Sequence, residues 1–327
     1  MNRRFLLALV LSSLAGTAAA IAAQQPTFRG TADTVRVFTT VTDRDGRLVT
    51  TLEQKDFEIR DEGSPQPITT FDNHPQPIRL IVLLDVSGSM QGNLPILRDG
   101  TVELLRHLRE DDGVRLGTFG NDVEISPMFT RDARELEQAL PRSIAADAPT
   151  PLWRAIDKAL DAFPTAASEG GGDERPVILV LSDGKDSGPL GPASFRQPVA
   201  SQSEVIERAR RQGVMLYGVG MRSRGARPQV PGIGPGGLQA ALMSDFPDPG
   251  LARVAEETGG GYTEIRFGED LATAFAQVAD ELHSQYLIGF APPKRDGKVH
   301  KIEVQVAMKG LKPRARKSYV APSERKP

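Results

Sequence analysis

Between residues 78 and 284 the chain alternates short, strongly apolar runs with longer stretches whose apolar residues recur at helical spacing. The apolar runs predict strands at Ile78–Leu84, Gly113–Phe119, Asp122–Phe129, Pro176–Leu181, Val214–Val219 and Tyr262–Ile265. The longer stretches predict helices over Leu94–Leu108, Ala133–Arg142, Leu152–Ala162, Ser203–Arg211, Pro249–Thr258 and Asp270–Ser284. In the first of these, Leu94, Leu97, Thr101, Leu104, Leu105 and Leu108 share one face, with Arg98, Asp99, Glu103 and Arg106 between them. Strands apolar on both faces, separated by amphipathic helices, predict an α/β fold: a doubly wound, mostly parallel six-stranded sheet covered on both sides. Asn121-Asp122, between two strand-like runs, marks a hairpin and so one antiparallel edge strand.

The flanks have a different rhythm. Thr34–Thr42 alternates with period two, and Asp56–Arg60 and Pro67–Phe71 are further short strands. Asp43-Arg44-Asp45-Gly46 has some of the residues of a calcium loop, but its acidic spacing is wrong for one and fits a hairpin turn. After Ser284 the β pattern returns at Gln285–Phe290, Lys301–Ala307 and Arg314–Val320. The chain therefore divides into an N-terminal β segment (24–77), an α/β domain (78–290) and a C-terminal β segment (291–327). The two β segments are expected to pack together as one small module, with the α/β domain inserted between them. Ahead of them, Arg3 and Arg4, the apolar stretch Phe5–Ala15 and the small residues Thr17–Ala23 have the order of a secretory signal peptide over 1–23. That stretch is short for a membrane span, so the mature chain is expected to be extracytoplasmic, periplasmic or secreted, without a stable membrane span.

Composition narrows the chemistry. Among 327 residues there is no cysteine, which excludes disulfides, zinc–thiolate sites and cysteine catalysis. The net charge of −2 gives no electrostatic basis for nucleic-acid binding. The basic cluster at 309–317 is interleaved with apolar residues and fits a solvated strand face. Each of the four histidines lies away from any recognisable catalytic motif.

The distinctive chemistry lies where apolar runs end. Leu80–Leu84 runs into Asp85-Val86-Ser87-Gly88-Ser89, Thr150 sits in Ala-Pro-Thr-Pro-Leu just before a helix, and Asp183 follows the run Pro176–Leu181. In an open parallel sheet ligands bind at the carboxyl ends of the strands, so the three segments are expected to meet at one edge. In an extended turn Asp85, Ser87 and Ser89 project to the same side, and Gly88 relieves crowding. Carboxylate and hydroxyl oxygens suit Mg²⁺ or another hard divalent ion. Taken singly, Ser89 also fits a helix N-cap and Asp183-Gly184 a plain turn.

With these motifs, residues 79–284 resemble a von Willebrand factor A domain, a Rossmann-like fold, carrying a complete metal-ion-dependent adhesion site. The family's first motif matches Asp85-Val86-Ser87-Gly88-Ser89, its threonine Thr150, and its second aspartate Asp183. The flanking strings Asp56-Phe57-Glu58 and Arg314–Pro322 resemble the bacterial proteins grouped as VWFA-related. The resemblance implies that Ser87 and Ser89 hold Mg²⁺ (or Mn²⁺ or Ca²⁺) directly and that Thr150 joins them in a ligand-bound state. It implies that Asp85 and Asp183 act mostly through bound water, and that a Glu or Asp carboxylate of a protein partner fills the remaining position. Two Gly/Pro-rich loops, 184–202 and 222–249, leave the same sheet edge and are candidates for partner selection. Two other readings compete with this adhesion-type module: a metal-stabilised scaffold of an envelope complex, and a metal-dependent hydrolase using Asp85 or Ser87 as nucleophile. The hydrolase lacks a nearby base, a Gly-x-Ser-x-Gly elbow or a phosphate loop.

Overall fold

Alternation along the buried strands builds the centre of the molecule. In the computed structural model, which describes residues 34–164, 174–183, 185–187, 200–221, 247–265 and 271–323, the central strands are β5 (Ile78–Asp85), β6 (Gly113–Phe119), β7 (Val123–Ile125), β8 (Arg175–Ser182), β9 (Met215–Met221) and β10 (Tyr262–Ile265). They form a six-stranded sheet of order β10-β9-β8-β5-β6-β7, parallel throughout except for the antiparallel edge strand β7. Leu80, Val82, Leu84, Leu179 and Leu181 point to one face, where α1 (Leu94–His107) and α6 (Leu271–Leu282) supply Leu97, Leu104, Phe275 and Val278. Ile81, Leu83, Ile178 and Val180 point to the other, under α3 (Leu152–Asp161), α4 (Gln202–Gln212) and α5 (Pro249–Thr258). Burial on both faces explains why Leu80–Leu84 and Val177–Leu181 are unbroken apolar runs.

Local signals set the element ends. Ser201 and Glu204 form a capping box at the start of α4, and Gly213, at φ 67°, closes it in the left-handed conformation. The helix expected to reach Arg142 instead stops at Ala139 (α2, Ala133–Ala139), because Leu140, one residue before Pro141, turns extended. The strand expected over Asp122–Phe129 is only Val123–Ile125. Ser126 caps it by bonding the backbone of Leu116, and Pro127 has no N–H to continue the ladder.

The flanks form two further four-stranded antiparallel sheets, and Val37, Ile288 and Phe290 of one share a hydrophobic cluster with Ile59, Ile302 and Tyr319 of the other, so the N- and C-terminal segments pack together as the sequence suggested. In one, β1 (Val35–Thr42) lies between β13 (Lys312–Ala315) and β11 (Tyr286–Phe290), with β4 (Ile68–Asp72) outside β11. In the other, β12 (Val299–Val306) lies between β14 (Ser318–Val320) and β2 (Phe57–Asp61), with β3 (Ser64–Gln66) outside β2. The expected single strand Arg314–Val320 is thus broken, its halves joining different sheets. A division at residue 290 also puts β11 with the α/β layer, whereas its hydrogen-bonded neighbours are β1 and β4. Asp43–Gly46 is a turn: the Asp43 carboxylate accepts from the Asp45 and Arg47 amides, both at 2.9 Å.

A buried polar knot joins flank to core. The Glu281 carboxylate at the end of α6 accepts from Thr40, Tyr217 and Arg314, and Gln285 donates to Thr40 at 2.7 Å and to Tyr217 at 3.1 Å. Arg175 donates to Gln285 and lies 4.7 Å over the Phe38 ring. Within the basic cluster Arg316 bonds the Arg36 carbonyl at 2.6 Å and Lys317 pairs with Glu256 at 2.6 Å, so it is not the freely solvated face expected from its composition. The segment 1–23, expected to be a signal peptide, residues 24–33 and most of the loops 184–202 and 222–249 lie outside the described residues.

Candidate metal centre

From β5 the chain moves to β6 on one side and later to β8 on the other, so β5 and β8 flank the point where the sheet's order reverses. Such a crevice at the carboxyl ends of strands is where open α/β sheets bind ligands. Asp85 is the last residue of β5 and Asp183 directly follows β8.

Asp85 is fully buried. One carboxylate oxygen accepts from the Ser87 amide at 2.8 Å and the other from the Ser182 hydroxyl at 2.5 Å. Burial pushes its carboxyl up to about 7, against the Ser182 and Ser87 hydrogen bonds, and the nearby Asp183 pushes the same way. The chain then enters a 3₁₀ segment, Gly88–Asn93, which turns the Ser89 hydroxyl to within 3.1 Å of the Ser87 hydroxyl. Ser89 donates to Asp183 Oδ1 at 2.7 Å. Burial raises the Asp183 carboxyl as well, and its Oδ2 is buried with no hydrogen-bond partner.

Thr150 is also buried, and its backbone ties it to this cluster. Its N–H donates to the Ser187 hydroxyl at 2.9 Å and its carbonyl accepts from the Ser187 amide at 3.0 Å. The segment just before it presses on the serine loop: the Gly88 amide donates to the Ala148 carbonyl at 3.0 Å. A Cβ at position 88 would lie 2.0 Å from the Ala146 carbonyl oxygen, so only glycine allows this approach. The rim is pinned too. The Asp186 amide donates to Asp248 at 3.0 Å, the Trp153 amide to Asp186 at 3.3 Å, and Trp153 itself is buried against Gly250.

Asp85, Ser87, Ser89 and Asp183 are therefore linked in one chain of hydrogen bonds, with Thr150 held alongside. Two residues were not anticipated from sequence: Ser182, which holds Asp85, and Ser187, which holds Thr150. Ser182 adjoins Asp183, but nothing in the order of residues tells which carboxylate it serves. The donor set fits a hard divalent cation. It is all oxygen, it holds two carboxylates that burial alone disfavours as anions, and one of their oxygens is left without a partner. The four histidines bond elsewhere: His74 to Asp72, His107 to Glu103, His283 to Asp112, and His300 to Asp61 and Asp296.

A search of curated proteins finds no match. Among solved structures, the chain is similar to an aerotolerance-related membrane protein from Bacteroides fragilis NCTC 9343, at 17% identity over 63% of this chain and 98% of that one, with a TM-score of 0.40. It is similar to BatB from Bacteroides thetaiotaomicron at 19% identity, over 63% of this chain and 98% of that one, with a TM-score of 0.40. A von Willebrand factor type A protein from Catenulispora acidiphila is similar at 12% identity, over 89% of this chain and 74% of that one, with a TM-score of 0.43. At the level of sequence profiles, residues 80–185 match the family described as von Willebrand factor type A domain, a span that contains Asp85, Ser87, Ser89, Thr150 and Asp183.

Proposed function

We propose that this protein is an extracytoplasmic binding module that captures a Glu or Asp side chain of a protein partner through a divalent cation, Mg²⁺ or in its place Mn²⁺ or Ca²⁺. Asp85, Ser87, Ser89, Thr150 and Asp183 hold that cation in this reading. The observation that carries it is the hydrogen-bonded chain Asp85–Ser87–Ser89–Asp183 at the reversal point of the sheet, ending on the unpartnered Asp183 Oδ2. The ion supplies positive charge that an incoming carboxylate neutralises. The protein's part is to fix the donors. Ser182 orients Asp85, the 3₁₀ segment points both serine hydroxyls the same way, and Ser187 fixes the Thr150 backbone. The match of residues 80–185 to a family of protein-interaction domains supports this reading, and the pattern Arg3–Ala23 supports export.

Binding without turnover is part of the proposal, because each histidine already has a partner away from Asp85 and a serine nucleophile needs a base. Among the described residues no helix is long and apolar enough to cross a membrane. The test is a pull-down from envelope extract with the immobilised protein, with and without EDTA, and with Asp85→Ala as control. A partner that EDTA releases, that Mg²⁺ or Mn²⁺ restores, and that Asp85→Ala fails to hold is the expected result. Equal capture by wild type and Asp85→Ala would overturn the reading. Metal that raises the melting temperature without changing capture would point to the scaffold, and ester or phosphate turnover abolished in Ser87→Ala would point to the hydrolase.

A further inference from the structure

A second cluster of metal-ligating side chains lies in the flanking sheets, apart from the Asp85 centre. Among the described residues Asp61, Glu62 and His300 bring one ligand atom each to within 4.8 Å of one another. Asp61 ends β2, Glu62 opens the turn to β3, and His300 lies in β12 beside Tyr319 of β14. The chain separation is large: Asp61 and His300 stand 239 positions apart.

The side chains are ordered around the imidazole. His300 Nδ1 lies 3.0 Å from Asp61 Oδ1 and 3.3 Å from its Oδ2, while Nε2 lies 3.2 Å from Asp296 Oδ1. Tyr319 donates its hydroxyl to Asp61 Oδ2 at 3.0 Å, and the Lys301 amide donates to Glu62 Oε1 at 2.6 Å. The side chains of His300 and Asp61 are 5% and 1% exposed, so this is an interior group with Glu62 at its surface. Glu62 reaches its place from a backbone at φ 49°, in the left-handed region where a long side chain is uncommon.

The arrangement has the parts of a metal site and of its support. A histidine that ligates a metal through one nitrogen usually donates the other N–H to a carboxylate, which fixes the ring. Here Asp296 stands on Nε2 and Asp61 on Nδ1, with a carboxylate oxygen of Glu62 within 4.8 Å of the pair. Zinc ligands at about 2.0–2.1 Å in tetrahedral geometry lie roughly 3.3 Å from one another. The Asp61–His300 edge is already near that spacing, and the exposed Glu62, held by the Lys301 amide through Oε1, brings a carboxylate oxygen to within 4.8 Å of both. One imidazole with carboxylates suits Zn²⁺, whereas Mg²⁺ prefers oxygen throughout. Without a cation, three carboxylates surround a single imidazole, an imbalance that a doubly charged ion offsets.

We propose that Asp61, Glu62 and His300, with Asp296 orienting the imidazole, form a zinc site that ties β2 of the N-terminal segment to β12 of the C-terminal one. In a chain without cysteine, such a tie does the work of a disulfide.

The test is calorimetric titration of Zn²⁺ into the purified, EDTA-stripped protein in excess Mg²⁺, with melting temperatures measured alongside. One zinc equivalent is expected in the wild type and also in Asp85→Ala, which separates this site from the sheet-edge centre. Glu62→Ala, an exposed substitution that leaves the buried pair intact, is expected to weaken zinc by at least about tenfold. His300→Gln is expected to abolish it, and Zn²⁺ is expected to raise the melting temperature of wild type but not of His300→Gln. Absence of a zinc equivalent in Asp85→Ala, or equal affinity in Glu62→Ala and wild type, would overturn the proposal and leave the cluster as an imidazolium held between carboxylates.

Discussion

Gly88→Ala perturbs the candidate centre without touching any of its proposed ligands. The added Cβ would meet the Ala146 carbonyl oxygen at 2.0 Å and its carbon at 2.7 Å, both backbone atoms that no side-chain rotation can move. Relief requires the serine loop and the segment leading to Thr150 to separate by about 1 Å, which also stretches the 3.0 Å bond from the Gly88 amide to the Ala148 carbonyl. Overpacking of this kind costs about 1–3 kcal/mol, with up to about 1.5 kcal/mol more if the hydrogen bond is lost. The same displacement carries Thr150 away from Ser87 and Ser89, so Mg²⁺ affinity is expected to fall by at least about tenfold, as when a ligand's support is removed. Urea unfolding gives the first number and titration calorimetry the second. Gly92→Ala is the control: it lies in the same 3₁₀ segment, and nothing stands within 4 Å of its added Cβ. Its stability is expected to stay within about 0.5 kcal/mol of wild type. A Gly88→Ala protein with wild-type affinity and stability would refute the placement of Thr150 beside the serines.

Two further expectations concern the frame that holds the centre. Asp112 is buried and accepts from the amides of Arg109 and Ile78 at 2.7 and 3.1 Å and faces His283 at 2.9 Å. Burial opposes its ionisation, but His283 and the two amides together outweigh it and hold the carboxyl below the usual range. A depressed folded-state value contributes stability that is present above the unfolded carboxylate value of about 3.9 and is lost as pH falls through the folded one. Asp112→Asn should therefore cost about 2 kcal/mol in urea unfolding at pH 7, and the gap from wild type should narrow at pH 3. Glu281→Gln removes the charge that Thr40, Tyr217 and Arg314 share. It should destabilise by about 2 kcal/mol while leaving Mg²⁺ affinity unchanged, since the knot lies in the seam with the flanking sheets; calorimetry on both proteins checks this.

What could be read from sequence, and what could not, divides along sequence separation. Leu80–Leu84 and Val177–Leu181 are apolar because they are buried on both faces, so period and length alone reveal the central sheet and its helices. The cluster of Asp85, Ser87, Ser89 and Asp183 was legible because the first three sit within one exit loop and Asp183 directly follows a buried strand, whereas Thr150 stands before a helix and follows no strand. Ser182 and Ser187 were not legible, because a serine's partner is set by which segments meet across the sheet edge. The polar knot was hidden for the same reason: Thr40, Tyr217, Glu281 and Arg314 come from four distant elements and carry no local motif. The break between β13 and β14 was missed because Arg314–Val320 reads as one run, although its two halves pair with different strands. The end of α2 is the converse case: the Leu140-Pro141 pair is a local stop signal that the helical spacing up to Arg142 obscures.

In the proposed reading Asp85, Ser87, Ser89, Thr150 and Asp183 together hold a divalent cation. Anomalous diffraction from crystals grown with Mn²⁺ tests it most directly. A strong peak is expected at the ends of β5 and β8, within coordination distance of the Ser87 and Ser89 hydroxyls, and is expected to be lost in Ser89→Ala. An occupied Mn²⁺ elsewhere with no peak between Ser87, Ser89 and Asp183 would contradict it.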